Sequence, residues 1–171
     1  MNRISVDVKV GRIVREFIVS STGTDVLDPD KHSVVWCLTK QHLVTAPKHY
    51  TKIPDRSEYI SILLRNRKSC DTYSVPADRV LQVNTLFRTY LSEKGHNVIK
   101  LHFEKQLKSI FRNYMTGCIN NNPDIKIITA IENFCSEHKL TMDNISVEML
   151  KKDWYRYRLN KTAKNFCPLI L

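Results

Sequence analysis

Glycine is scarce in this chain. Only four occur in 171 residues, and no Gly-Ser or Pro-rich tract interrupts it, which leaves little room for a flexible linker or a disordered tail. No run approaches the roughly 18–20 apolar residues needed to span a bilayer, and the N-terminal residues lack the apolar stretch of a secretory signal. The five cysteines, Cys37, Cys70, Cys118, Cys135 and Cys167, are odd in number and scattered, without the short paired spacings of a structural zinc site. A cytoplasmic location with five free thiols and no metal is therefore expected. Also missing are a glycine-rich phosphate loop, a G-x-S-x-G elbow and an H-E-x-x-H helix, the local patterns that carry much nucleotide, acyl-transfer and metalloprotease chemistry. The six histidines are dispersed and the acids do not pair as in a two-metal nuclease, so neither catalysis nor a cofactor is expected.

Acids are in deficit as well: 17 Asp and Glu stand against 27 Lys and Arg, a formal charge of +10. Such a surplus draws polyanions by long-range attraction, and nucleic acid is the commonest of these. The 42% hydrophobic content suffices for a buried core, within one domain or two small ones.

Along the chain, Ile4, Val6, Val8 and Val10 alternate with Ser5, Asp7 and Lys9, the period of a strand with one wet face. Gly11 breaks it. Ile13, Val14, Phe17 and Ile18 then fall on one side of a short helix, with a second strand as the competing reading. Asp28-Pro29 reads as a cap followed by Pro, predicting a helix over 29–43 with Val34, Val35, Leu38 and His42 on its apolar face. Segment 44–56 reads as a basic loop. Residues 57–64 return to extended structure, and a lone strand has nowhere to put its hydrogen bonds, so 58–64 should pair with 4–10.

From Pro76 the pattern is helical. Val80, Val83, Phe87, Tyr90 and Leu91 form a stripe stopped by Gly95. A second helix over 97–115 would bury Ile99, Phe103, Leu107, Ile110, Phe111 and Tyr114, turn Lys100, Glu104, Lys108 and Arg112 to solvent, and end at Gly117. Asn122-Pro123-Asp124 opens a third over 123–138, with Ile127, Ile128, Ile131, Phe134 and Cys135 inside. A last helix over 146–159 would bury Val147, Leu150, Trp154 and Tyr157. The expected organisation is an α+β N-terminal subdomain (1–75) and a helical subdomain (76–171) with a three-helix core over 97–160.

The functional signal sits in that last helix. Residues 151–164 hold six cations (Lys151, Lys152, Arg156, Arg158, Lys161 and Lys164) and one acid, Asp153, so half the surplus charge lies in fourteen residues. Lys and Arg take phosphate as point charge and planar fork, and Tyr155 among them can hydrogen-bond a phosphate or stack on a base. The bland reading is a solvated basic helix end complementing its own dipole.

The order helix, helix, polar turn, basic-aromatic helix resembles the helix-turn-helix fold in its trihelical form. That resemblance implies that 146–158 is a recognition helix and that 123–138 crosses the nucleic-acid backbone. The turn over 139–145 is longer than usual and lacks Gly. In general look, residues 131–158 and the strand-bearing N-terminus also resemble small DNA-binding accessory proteins of bacterial prophages and mobile elements. The expected function is non-catalytic DNA binding, as a regulator or accessory factor of such an element. Its rival is a protein-interaction or structural module with an incidental basic face, and RNA stays open as the nucleic acid.

Overall fold

The computed structural model of the chain describes residues 4–45, 56–64 and 89–165. Among them the protein is α+β and mainly helical, in two compact units, Met1–Phe103 and Glu104–Leu171. The expected subdomain boundary at residue 75, and most of the loop over 44–56 and the helix over 76–91, lie outside the described residues.

In the first unit, β1 (Ile4–Lys9) and β4 (Tyr59–Leu64) pair antiparallel, with Val6 opposite Ile62 and Val8 opposite Ile60. This is the expected pairing of the two alternating segments. β2 (Val26–Leu27) adds on the other edge of β4, parallel to it. Val6, Val8, Ile60 and Ile62 are buried, as are Val14, Phe17 and Ile18 of α1 (Arg12–Thr22). Gly11 permits the sharp change from strand to helix: its φ is 86°, in the left-handed region that a side chain disfavours. Its N–H and that of Val10 both donate to the Glu58 carbonyl, at 3.1 and 2.9 Å. Arg15 ties α1 down, donating to the Tyr59 carbonyl from Nε and to Asp25 Oδ2 from Nη2. Arg56, the described cation of the predicted loop, is bound to Asp7 Oδ1 at 2.9 Å and to the Ser61 hydroxyl.

Three sequence expectations give way in this unit. The helix predicted over 29–43 is only α2 (Val34–Gln41), capped by Ser33, whose hydroxyl accepts from the Trp36 N–H. Asp30 spends its carboxylate on the His32 N–H and so builds a turn ahead of the helix. Val34 is exposed and Thr39 is the buried residue of α2. Second, Leu43–Thr45 forms β3, antiparallel to β5 (Thr89–Leu91), so Tyr90 and Leu91 belong to a strand rather than to a helical stripe. Third, Gly95 stops nothing. Ser92 caps α3 (Glu93–Asn121) by accepting from the Gly95 N–H, and Gly95 lies buried in the first turn. The chain is glycine there because a Cβ would come within 2.6 Å of His42 Cβ and 2.9 Å of Leu91 Cγ.

The second unit holds the remainder of α3, then α4 (Ile127–Glu137) and α5 (Asn144–Asn165). α3 runs through Gly117, which is helical and exposed, to Asn121. The cap expected at Asn122 is an Asx turn, in which the side chain accepts from the Asp124 N–H, so α4 begins at Ile127 rather than at Pro123. Leu107, Phe111 and Met115 of α3 are buried, as are Ala130, Ile131, Phe134 and Cys135 of α4 and Leu150 and Trp154 of α5. Phe111 meets Phe134 edge-on with centroids 5.1 Å apart. Ile110 and Ile128, expected inside, are exposed.

α4 closes with reciprocal bonds from the Leu140 N–H to the Cys135 carbonyl and from the Lys139 N–H to the Ser136 carbonyl. That pattern is a Schellman motif. Lys139 occupies its left-handed position at φ 51°, doing without the glycine usual there. No helix among the described residues is long and apolar enough to cross a membrane.

Candidate functional site

At 100° per residue, Leu150, Trp154 and Tyr157 share one side of α5, and Lys152, Tyr155, Arg156 and Leu159 the opposite side. Burial follows that division: Leu150 and Trp154 are buried, Tyr157 is half-buried, and Lys152, Tyr155, Arg156 and Leu159 are exposed. Arg158 is exposed on the flank. Lys151 is half-buried, 3.4 Å from Glu148 Oε1 in an ion pair one turn back. Lys161 and Lys164 belong to α5, and their side chains lie outside the described residues.

Asp153, the one acid among these cations, faces inward. Arg112 of α3 holds it in a two-pronged bond, Nε to Oδ2 at 2.8 Å and Nη2 to Oδ1 at 2.7 Å, and only 12% of the Asp153 side chain is exposed. The hydrogen bond to Asp153 raises the Arg112 pKa first of all, and the carboxylate charge adds to it against the cost of burial. The guanidinium also lies 5.1 Å from the centre of the Tyr157 ring, within range for cation–π attraction. Arg112, expected on a solvated stripe, thus acts as the clasp that fixes the rotation of α5 and keeps its acid off the outer face. Across 41 residues of sequence, no spacing rule could have shown that pair.

Burial, and then a hydrogen bond with Cys118, push the Tyr114 hydroxyl up to about 12. Cys135 is buried and Cys37 exposed, and neither is in a disulfide. No cluster of three or more His, Cys, Asp or Glu suited to a metal ion occurs among the described residues.

A concavity of about 380 Å³ lies in the first unit, remote from any sequence motif. Lys9 of β1, Tyr59 of β4 and Tyr90 of β5 form one wall. The first two turns of α3 supply the other through Glu93, His96, Asn97 and Lys100. His96 Nδ1 accepts from the Lys9 backbone N–H at 3.3 Å, and its ring stands edge-on to Tyr90 with centroids 5.9 Å apart. Burial lowers the His96 pKa, with the Glu93 charge opposing. The groups come from positions 9 to 100, so only the fold assembles them.

No protein-family model, curated protein or solved structure matches this chain.

Proposed function

We propose that the protein binds nucleic acid, duplex DNA foremost, without catalysing a reaction on it, and that the outer face of α5 is the contact surface. One observation carries this: Lys152, Tyr155 and Arg156 stand exposed on one arc while the segment's only acid is turned inward and held by Arg112. An arc of this composition offers phosphate two cations and offers a base a flat ring. α4, the six-residue connection 138–143 and α5 follow the order of a helix-turn-helix with a long turn. In that form α5 is the helix laid against the groove. Arg158, Lys161 and Lys164 continue the basic run along the sequence of α5, and Lys151 joins it by exchanging Glu148 for a phosphate. A regulator or accessory factor of a phage or mobile element is a role suited to such a protein.

Exposure of Leu159 (69%) on the same arc favours a second reading, a protein-docking face with incidental charge. Salt separates the two, because phosphate contacts release counterions and an apolar interface does not. Replacing Lys152 and Arg156 together by Ala should weaken duplex binding for all sequences and flatten the plot of log affinity against log salt by about one to two units. The melting temperature should hardly change. Fluorescence anisotropy over a salt series reads this directly, with RNA and duplex DNA compared. Equal slopes for wild type and double variant would remove α5 from the interface, and no binding at low salt would put the protein-docking reading first.

A further inference from the structure

We propose that the concavity of the first unit binds a guanine base, as a free nucleoside or as an unpaired base within a single strand. This does not rest on the reading of α5, which belongs to the other unit. At about 380 Å³ the space lies within the range of small-molecule sites, and its lining selects the chemistry. Lys9 Nζ lies 3.0 Å from Glu58 Oε2, and Lys100 interacts with another group of the protein. With Glu93 in the lining, the two ammoniums are balanced by two carboxylates. A neutral ligand therefore suits the site better than an anion or a cation. An apolar one would strip water from the polar tips and return no hydrogen bonds.

Tyr59 and Tyr90 supply rings against which a flat base can stack. Opposite them, Glu93, His96 and Asn97 occupy i, i+3 and i+4 positions on α3, which fall on one side of a helix. The Glu93 carboxylate is exposed and forms no ion pair among the described residues. It can take two parallel N–H donors. His96 supplies a donor: its Nδ1 is occupied by the Lys9 N–H, so the neutral ring carries its proton on Nε2. Burial favours that neutral form. The Asn97 amide both donates and accepts. A two-pronged acceptor beside donors complements the pairing edge of guanine, where N1–H and the N2 amino group adjoin the O6 acceptor. Adenine and cytosine set a lone pair beside their single amino group, and uracil sets one N–H between two carbonyls. Each of these would turn a lone pair toward Glu93.

Calorimetric titration of the full chain with guanosine, inosine and adenosine tests this, since uncharged nucleosides gain nothing from the basic run of α5. Guanosine should bind saturably, at least about tenfold tighter than adenosine or than inosine, which lacks the N2 amino group. Glu93→Gln should weaken guanosine at least about tenfold, and Tyr59→Leu at least about fivefold through lost stacking. Glu132→Gln, at an exposed acid of α4 outside the lining, should leave the affinity unchanged and controls for the lost charge. Displacement of guanosine by a thymidine oligomer carrying one guanine, but not by the same oligomer carrying hypoxanthine there, assigns the site to single strands. Displacement by neither assigns it to the free nucleoside. Absence of saturation at millimolar guanosine, equal affinity for inosine, displacement by both oligomers alike, or an affinity unmoved by Glu93→Gln overturns the proposal.

Discussion

Residue by residue, burial in the helical part was legible where the helical period admits a single solution. Phe103, Leu107, Phe111, Ile131, Phe134, Leu150 and Trp154 were expected inside and are buried. Ile110 and Ile128 also fit an apolar arc, yet both are exposed, because an arc wider than its contact leaves its edges wet. Trp154 combines 3% exposure with an indole Nε1 that finds no hydrogen-bond partner among the described residues. Replacing it by Ala should therefore cost about 3–5 kcal/mol in urea unfolding. Phe should cost less than half of that, since most of the ring volume stays and the unpartnered N–H goes. A Phe variant as unstable as the Ala variant would mean that Nε1 is hydrogen-bonded in solution.

Among elements, α3 shows how one residue type carries opposite meanings. Gly95 and Gly117 both looked like helix stops, and both are helical. Gly95 admits Leu91 and His42 against the first turn, whereas a Cβ on Gly117 would meet nothing within 4 Å. Gly117→Ala should accordingly stabilise the protein by about 0.5–1 kcal/mol, the ordinary gain inside an exposed helix. Gly95→Ala should destabilise it in spite of the same propensity gain, because the neighbouring atom is a Cβ with no freedom to swing aside. Thermal melts of the two variants in parallel check this, and a stabilising Gly95→Ala would show that His42 and the first turn of α3 are not in close contact. Local pattern could not tell these glycines apart, since what distinguishes them is a chain segment some fifty residues away.

At the scale of the whole molecule, each unit holds one of the two tryptophans, Trp36 in the first and Trp154 in the second. Fluorescence can therefore follow the units separately. His96 links acid to the first unit. Its folded pKa lies below the ordinary 6.5, so beneath that value the unfolded chain takes up a proton that the folded unit resists. The stability that neutral His96 contributes is thus complete above about pH 6.5 and is lost as pH falls through the folded value. Protonation also ends the bond from the Lys9 N–H, because Nδ1 can then only donate. In a Trp154→Phe background, the Trp36-reported melting temperature should fall as pH is lowered from about 7 to about 5. His96→Asn, which keeps an acceptor but does not titrate, should flatten that fall. An unchanged pH profile in His96→Asn would place the acid sensitivity elsewhere.

Alternation over 4–10 and 58–64 by itself determined a strand pair, because a period of two with one apolar face has few ways to satisfy its backbone and bury that face at once. The helical identity of 97–115, of 146–159 and of Ile127–Glu137 within the segment 123–138, and the basic run on the last helix, were likewise written in local order and composition. Tertiary structure alone decided that Asp153 turns inward, through the Arg112–Asp153 bond, and so takes the one acid of the basic run off the outer face of α5. It also decided that Tyr90 and Leu91 extend rather than coil, through pairing with Leu43–Thr45. The gathering of Lys9, Tyr59, His96 and Lys100 around one concavity was its work as well. Each of these depends on groups tens of residues apart, and periodicity and spacing register only neighbours along the chain.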